Sequence, residues 1–311
     1  MRRQAAAFSP DRVLLHYSVL SWANAGQPWA APPLVATLRS LGLPTTAFLH
    51  EYIVPVSWRQ PRSIAFGAAH PAALAVVLSV CDGAVVTTEH RARSLRAARW
   101  LPLRPVIFLP VFSNVEPLAR PARPPSEGDV VLGVFGFGTP SYPRQTVIDA
   151  VARLRTTDPG VRLRLVGAPG PTDPAGADWS AAAARAGVSD LLEFTGVLDE
   201  PQLADALAAV DVMIFPDPGG PASRKTTLAA GLAHGLPIVA FYGPQGWTEL
   251  CASDAVVLAP GTVDATAAAL APLVRDDHLR REQGDRARRF YTHAMAPEVS
   301  ACALLAFVDR P

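Results

Sequence analysis

Lysine is almost absent from this chain: Lys225 stands alone against 27 arginines. Charge as a whole is sparse, at 18% of residues, while half of the 311 residues are apolar, enough to bury two cores. Cysteine is scarce and odd in number. Cys81, Cys251 and Cys302 lie far apart in apolar surroundings, which excludes a disulfide framework and a cysteine-based metal cluster and fits a reducing, cytoplasmic compartment. Long apolar runs are missing too. The longest, Ala72 to Cys81, is far short of a bilayer span. Met1-Arg2-Arg3 leads into a short alanine run and then polar residues, so no secretory signal is expected. There is no internal repeat and no pair of histidines at helical spacing beside a carboxylate, so no resident metal is expected.

The charge that is present is unevenly spread. Residues 1 to 122 carry a net +7 and the remainder a net −6. The basic half suits an anionic partner or the inner surface of a membrane. A nucleic-acid partner is not expected.

One stretch, Asp211 to Phe241, organises the rest. Val212 to Phe215 is a short apolar run bounded by Pro216, Pro218, Gly219 and Gly220, and so predicts a buried strand. Ser223 is a good N-cap type, a helix-forming run extends from Arg224 to His234, and Gly235 and Pro237 end it. Ile238 to Phe241 predicts the next strand. In a parallel sheet this unit sets its first loop at the carboxyl edge, where ligands bind. Arg224 and Lys225 in a first helical turn would each be repelled by the helix dipole by roughly 0.3 to 1 kcal/mol. An anion between them removes the conflict. Gly219 and Gly220 allow close backbone approach, Ser223 and Thr226 add hydroxyls, and the helix amides point outward, which together describe a phosphate or diphosphate site. A solvated helix start with snorkelling side chains is the alternative.

Two better-known phosphate motifs fail here. Gly219 to Thr226 has the spacing of a P-loop, but Arg224 stands where that loop needs a glycine. Gly136-Phe137-Gly138 follows a strand pattern, but Ser141 replaces the third glycine of a dinucleotide fingerprint and Pro140 and Pro143 obstruct an early helix.

The remaining elements alternate. Strands are predicted at Arg12–Tyr17, Thr45–Leu49, Gly83–Thr88 and Val106–Val111, with helices at Leu34–Leu41, Arg62–Val80 (interrupted at His70-Pro71) and Glu89–Trp100. A proline-rich stretch, 114–129, reads as a linker between a domain at 1–113 and a second at 130–311. In the second, Val130–Phe135, Arg162–Val166 and Leu191–Phe194 read as strands, and Thr146–Arg155, Ala181–Ala186 and Glu200–Ala209 as helices, ahead of the stretch at Asp211. Ala265–Leu273, Asp277–Thr292 and Pro297–Val308 read as closing helices. The fold class is α/β.

The segment Ala233-His234-Gly235-Leu236-Pro237-Ile238-Val239-Ala240, followed by Gly243-Pro244, Glu249 and Val256 to Gly261, resembles the donor-site helix and following loops of GT-B glycosyltransferases of family 4. The resemblance covers residues 12 to 308 and is strongest from Val130 onward. It implies two Rossmann-like doubly wound domains, with the donor nucleotide held mainly by the second and the acceptor by the first. That family's first domain usually begins with one or two further βα units and a glycine-rich loop; this chain starts after them, so either its true start lies upstream, a partner supplies the missing part, or the first domain is shortened.

The resemblance also implies site residues. Gly136 and Gly138 fall on the first donor-domain loop, where Tyr142 takes the place of a lysine and Arg144 either supplies that charge or is a surface arginine. Gly219, Gly220, Ser223, Arg224, Lys225 and Thr226 form the diphosphate site. His50 matches a histidine that contacts the donor sugar, and with Arg224 and Lys225 makes up the candidate catalytic set. Gly196 and Val197 match a loop that meets the nucleobase. Glu51, Thr88 and Glu89 lie on the acceptor side, although Thr88 and Glu89 also suit capping of the arginine-rich helix, itself either a solvated face or a membrane anchor. The family's two glutamates, eight positions apart, are Ala222 and Ala230 here. The implied activity is transfer of a sugar from a nucleotide-diphosphate sugar, as co-substrate and without a cofactor, to a hydroxyl of a glycan, lipid-linked or small-molecule acceptor. Retention of configuration and independence of metal go with it. The alternative is a non-catalytic or partner-dependent nucleotide-binding protein of the same fold.

Overall fold

The computed structural model describes residues 8–19, 30–52, 61–102, 105–117 and 129–309. The chain divides into two compact units, residues 1–110 with 301–311, and residues 111–300.

In the first unit the strands are β1 (Val13–Tyr17), β2 (Thr45–Leu49), β3 (Gly83–Val86) and β4 (Val106–Phe108), with helices α1 (Ala31–Leu41), α2 (Pro61–Leu78) and α3 (Glu89–Ala97) between them. The four strands are parallel and follow chain order across the sheet. Alternation along each strand decides which side chains face the helices. Leu15, Tyr17, Ala47, Leu49, Ala84 and Val86 join Leu34, Leu74, Val77 and Leu95 in one core. On the opposite face Phe48, Val85 and Ile107 meet Phe307 from the last helix. A side chain at Gly83 would come within 2.6 Å of the Phe307 ring, so glycine there makes room for the aromatic anchor. That contact explains why residues 301–311, assigned from sequence to the second domain, cluster with the first.

In the second unit the strands are β5 (Val130–Phe135), β6 (Val161–Val166), β7 (Leu192–Phe194), β8 (Val212–Phe215), β9 (Ile238–Phe241) and β10 (Val257–Ala259). The helices are α4 (Arg144–Arg155), α5 (Pro174–Arg185), α6 (Glu200–Ala208), α7 (Thr226–Ala233), α8 (Thr248–Ala252), α9 (Val263–Arg275), α10 (Asp277–Ala294) and α11 (Pro297–Val308), the last running on into residues of the first unit. The sheet order is β10-β9-β8-β5-β6-β7, all parallel. This is the Rossmann order: the chain winds outward from β5 to β7, then returns to place β8 on the other side of β5. The direction reverses between β5 and β8, and ligands of such sheets bind outside the carboxyl ends of the strands at that switch point.

Local chemistry accounts for the element boundaries. Asp173 caps α5 by accepting from the Ala175 and Gly176 amides, with Pro174 at the first helical position. The helix therefore starts seven residues before the Ala181 start read from the Gly/Pro/Asp-rich sequence. α2 runs through Pro71 without the predicted interruption; the proline leaves the carbonyl four residues earlier without its intrahelical donor but does not end the helix. α8 had no counterpart in the sequence reading. Of the predicted linker, residues 118–128 lie outside the described residues.

Candidate functional site

The switch point of the second sheet is built from two loops. The first connects β8 to α7 and is organised by Asp217, which is only 5% exposed. Its Oδ1 accepts from the Gly219 amide (2.8 Å), its carbonyl accepts from the Gly220 amide (2.9 Å), and its other carboxylate oxygen receives the Lys225 ammonium at 2.5 Å. The Lys225 amide closes a turn on the Ala222 carbonyl, and α7 begins only at Thr226, with Lys225 at the N-cap position. The predicted cap and start are therefore displaced. Ser223 is buried and uses its carbonyl to accept from the Val111 amide, and Arg224 and Lys225 precede the helix rather than occupy its first turn. The physical reason is Asp217: it satisfies the loop amides and the lysine together, so half of the expected charge conflict is answered within the protein.

Arg224 behaves differently. Its guanidinium donates to Gln245 Oε1 at 3.1 Å, a neutral partner, and among the described residues it has no carboxylate. Gln245 belongs to the loop after β9, which supports the β8–α7 loop backbone to backbone. The Gln245 amide donates to the Gly219 carbonyl (2.7 Å) and the Trp247 amide to the Pro221 carbonyl (3.1 Å). Gly220 has φ +89°, and a Cβ there would lie 2.8 Å from the Gly243 carbonyl oxygen; one on Gly243 would lie 2.3 Å from the Gly219 carbonyl carbon. Glycine is required on both sides of this contact.

The second loop joins β5 to α4. Gly136 (φ +85°) passes against Thr227 in the first turn of α7, where a Cβ would meet the threonine methyl at 3.1 Å. Thus the two loops touch at the start of α7. Tyr142 seals the base of this junction: it is buried, packs edge-on to Phe215 at 6.4 Å between centroids, and its hydroxyl is engaged with Thr139 and Thr227. Burial, with the nearby Asp217 charge, pushes its pKa up to about 12. Tyr142 is therefore a neutral hydrogen-bonding group at neutral pH, in the place of the resemblance's lysine. Arg144 is turned towards α5: its partners are the Thr139 carbonyl (3.4 Å), Asp178 (3.8 Å) and the face of Trp179 (6.0 Å). Gly138 lies nearby, in ordinary contact distance of Ala175. Gly196 (φ +80°) closes the end of β7 by donating to the Ala168 carbonyl at 2.9 Å, and Val197 is 79% exposed beside it. These two residues share the carboxyl edge but stand two strands from β5.

The first unit gathers its own cluster at the carboxyl ends of β1 to β3. His50 follows β2 and pairs with His16 of β1, Nε2 to Nδ1 at 3.0 Å. Arg91 of α3 donates to the His50 carbonyl at 2.6 Å, approaches Glu51 at 3.8 Å, and stacks over Tyr52. Thr88 accepts from the Arg91 amide as the N-cap of α3, with Glu89 in its first turn. Arg93 and Arg96 on that helix are exposed while Ala92 and Leu95 are buried. His16 was not singled out from sequence. The signal available was register, since it lies opposite Phe48 in the β1–β2 pair, two residues before His50. Among the described residues there is no group of three or more His, Cys, Asp or Glu that could hold a metal ion.

Residues 135–276 match the profile described as Glycosyl transferases group 1. Over 259 residues the chain is 30% identical to the 2-deoxystreptamine glucosyltransferase of Streptomyces kanamyceticus, a match covering 76% of this chain and 63% of that protein. The chain thus spans less than two thirds of the length of that curated relative. Among solved structures it resembles the UDP-forming α,α-trehalose-phosphate synthase of Burkholderia xenovorans (TM-score 0.67, 14% identity, 98% of this chain and 75% of that one). It also resembles a pneumococcal O-GlcNAc transferase in complex with UDP and GlcNAc (TM-score 0.58, 13% identity, 89% and 59%). The fold is that of the GT-B glycosyltransferases.

Proposed function

We propose that this chain is a glycosyltransferase that takes a sugar from a nucleotide-diphosphate sugar, held at the switch point of the second unit, and places it on a hydroxyl acceptor. The observation that carries the reading is the junction of the β5–α4 and β8–α7 loops: glycine backbone, the start of α7, and Arg224 held on a neutral glutamine. An anion there meets outward amides and an uncompensated guanidinium in a place where such sheets bind ligands. The similarity to a glucosyltransferase and to structures that contain UDP supports the same reading.

Sugar transfer requires stabilisation of the charge that develops on the leaving diphosphate. Arg224 supplies it with the α7 amides, and Tyr142 and Thr227 line the base as neutral donors. Lys225 contributes to the extent that a diphosphate draws it from Asp217. On this account no metal is needed, and retention of configuration is the expected outcome. The acceptor is a glycan, lipid-linked or small-molecule hydroxyl, and the basic first half would face an anionic surface on the cytoplasmic side. Among the described residues no helix is long and apolar enough to cross a membrane.

One observation favours a second reading. Ala222 and Ala230, at the positions of the resemblance's two glutamates, are 1% and 0% exposed, and neither can grip a ribose or sugar hydroxyl. A protein that binds the nucleotide without transferring sugar would tolerate that. Incubating the chain with UDP-, GDP-, ADP- and dTDP-sugars together with a panel of glycan, lipid-linked and small-molecule hydroxyl acceptors, and following glycosylated product and free diphosphate by mass spectrometry, separates the two. Sugar-dependent release that collapses in Arg224→Ala supports transfer, whereas binding with no release from any donor favours the second reading.

A further inference from the structure

The histidine pair at the carboxyl edge of the first sheet has a chemistry of its own. His16 Nδ1 and His50 Nε2 are 3.0 Å apart, and one of the two must carry the proton of that hydrogen bond. If His50 Nε2 donates, both rings keep the proton on Nε2, the tautomer that a free imidazole side chain prefers. If His16 Nδ1 donates, both rings must hold it on Nδ1. The first arrangement is the lower in energy on that ground alone. It leaves His50 Nδ1, which has no hydrogen-bond partner among the described residues, as a lone-pair acceptor.

We propose that His16 is a positioning residue for His50, receiving its Nε2 proton so that His50 presents Nδ1 as a hydrogen-bond acceptor for a hydroxyl of an acceptor bound at the first unit. The inference rests on the transferase reading for the identity of that ligand, but the state of the pair can be read without any ligand.

The surroundings hold the geometry. The rings of His16, His50 and Phe48 stack, with centroids 5.1 to 5.3 Å apart and interplanar angles of 18° to 33°. His16 lies opposite Phe48 in register, and the His50 amide donates to the Tyr17 carbonyl at 2.9 Å. Arg91 fixes the His50 carbonyl from α3. Among the described residues, the charged and titratable groups that act on His50 are His16 from β1, Arg91 from α3 and the adjacent Glu51. Burial and the neighbouring His16 lower the His50 pKa, opposed by Glu51 and reinforced by Arg91, so a neutral ring with one fixed proton is the resting form at neutral pH. This is the arrangement in which an oriented histidine works: its far nitrogen is tied and the near one is free.

The experiment is long-range nitrogen–proton NMR of the histidine rings in the full chain, with His16→Leu, His16→Asn and His16→Asp alongside the native protein. His50 is expected as the Nε2–H tautomer in the native chain and in His16→Asn, whose side-chain oxygen also accepts. It is expected to revert to rapid tautomer exchange in His16→Leu, and its pKa to rise by about one unit or more in His16→Asp, where a carboxylate faces the ring. In the transfer assay His16→Leu is expected to lose about 10- to 100-fold in kcat, less than the roughly 100- to 10,000-fold that a positioned acid–base group itself contributes because His50 remains, with His16→Asn recovering most of it. A native His50 protonated on Nδ1, or a His50 tautomer and pKa unmoved by all three substitutions, overturns the proposal. Absence of transfer with the NMR result as expected would instead count against the transferase reading alone.

Discussion

Replacing Lys225 by methionine separates two roles that the sequence leaves merged. Lys225 and Arg224 are adjacent cations before a helix, but the structure gives them different partners: a buried carboxylate at 2.5 Å for Lys225, a neutral amide for Arg224. Methionine keeps the length of the lysine side chain and removes the charge, leaving Asp217, 8% exposed in its side chain, with only the Gly219 amide on its Oδ1. Removing one partner of a fully buried pair costs about 3 to 5 kcal/mol. Lys225 is 24% exposed in its side chain, so water partly replaces it, and a discount of about half leaves roughly 2 kcal/mol. In a unit of roughly 190 residues that is a fall in Tm of about 4 to 8 °C. Arg224→Met gives up one exposed hydrogen bond to glutamine and is expected to cost under about 0.5 kcal/mol. Its effect falls on the ligand, where loss of a charge-assisted contact of about 1.5 to 3 kcal/mol weakens diphosphate affinity roughly 10- to 100-fold. Denaturant unfolding of both variants, and of Lys225→Met with Asp217→Asn, checks the reasoning. The double variant is expected to recover most of the lost stability. Equal losses for Lys225→Met and Arg224→Met, or a double variant no better than the single, would refute it.

Three further outcomes follow from the same geometry. Gly243→Ala drives a methyl into the Gly219 and Pro218 backbone at 2.3 Å; a stability loss of about 1 to 3 kcal/mol and weaker diphosphate binding are expected, checked by unfolding and calorimetry, whereas Gly138→Ala, whose added methyl meets only the Ala175 methyl at an ordinary 3.9 Å, is expected to leave stability near the native value. Tyr142→Phe removes a hydroxyl engaged with Thr139 and Thr227 and is expected to cost about 1 kcal/mol; the absorbance titration of the native protein should show one tyrosine ionising near 12 that the variant lacks. His234 is half-buried, its Nδ1 lies 2.8 Å from the Ala230 carbonyl, and desolvation lowers its pKa. The unfolded state therefore binds the proton more readily, so the stability His234 contributes is full above the ordinary histidine value of about 6.5 and is lost as pH falls below it. A stability profile from pH 7.5 to 5 should slope less steeply in His234→Gln.

How far the sequence spoke depends on what each element needed. The strands β8 and β9 were legible because an apolar run bounded by proline and glycine has few other uses, and α11 because Pro297 opens an apolar stretch that continues to Val308. The topological switch between β5 and β8 was not legible from periodicity: strand order is a long-range property, and a run of βα units admits several. α5 was cut short because Asp173-Pro174, a capping pair, sits within a run that otherwise reads as loop. The start of α7 was misplaced because Asp217 lies eight residues before Lys225 and nothing local signals that a buried carboxylate will reach it. The same loop remains the candidate anion site with the helix start moved, since two glycines beside two cations constrain the chemistry whatever the exact start. The His16–His50 pair needed strand register, which pairing across 34 residues does not reveal.

The most direct test of the central claim is calorimetric titration of the chain with UDP, GDP, ADP and dTDP, repeated with Arg224→Met. The account expects one of these diphosphates to bind at a stoichiometry of one, and that affinity to fall at least about 10-fold in the variant while its stability holds. No binding by any of the four, or binding that Arg224→Met leaves unchanged, would contradict it.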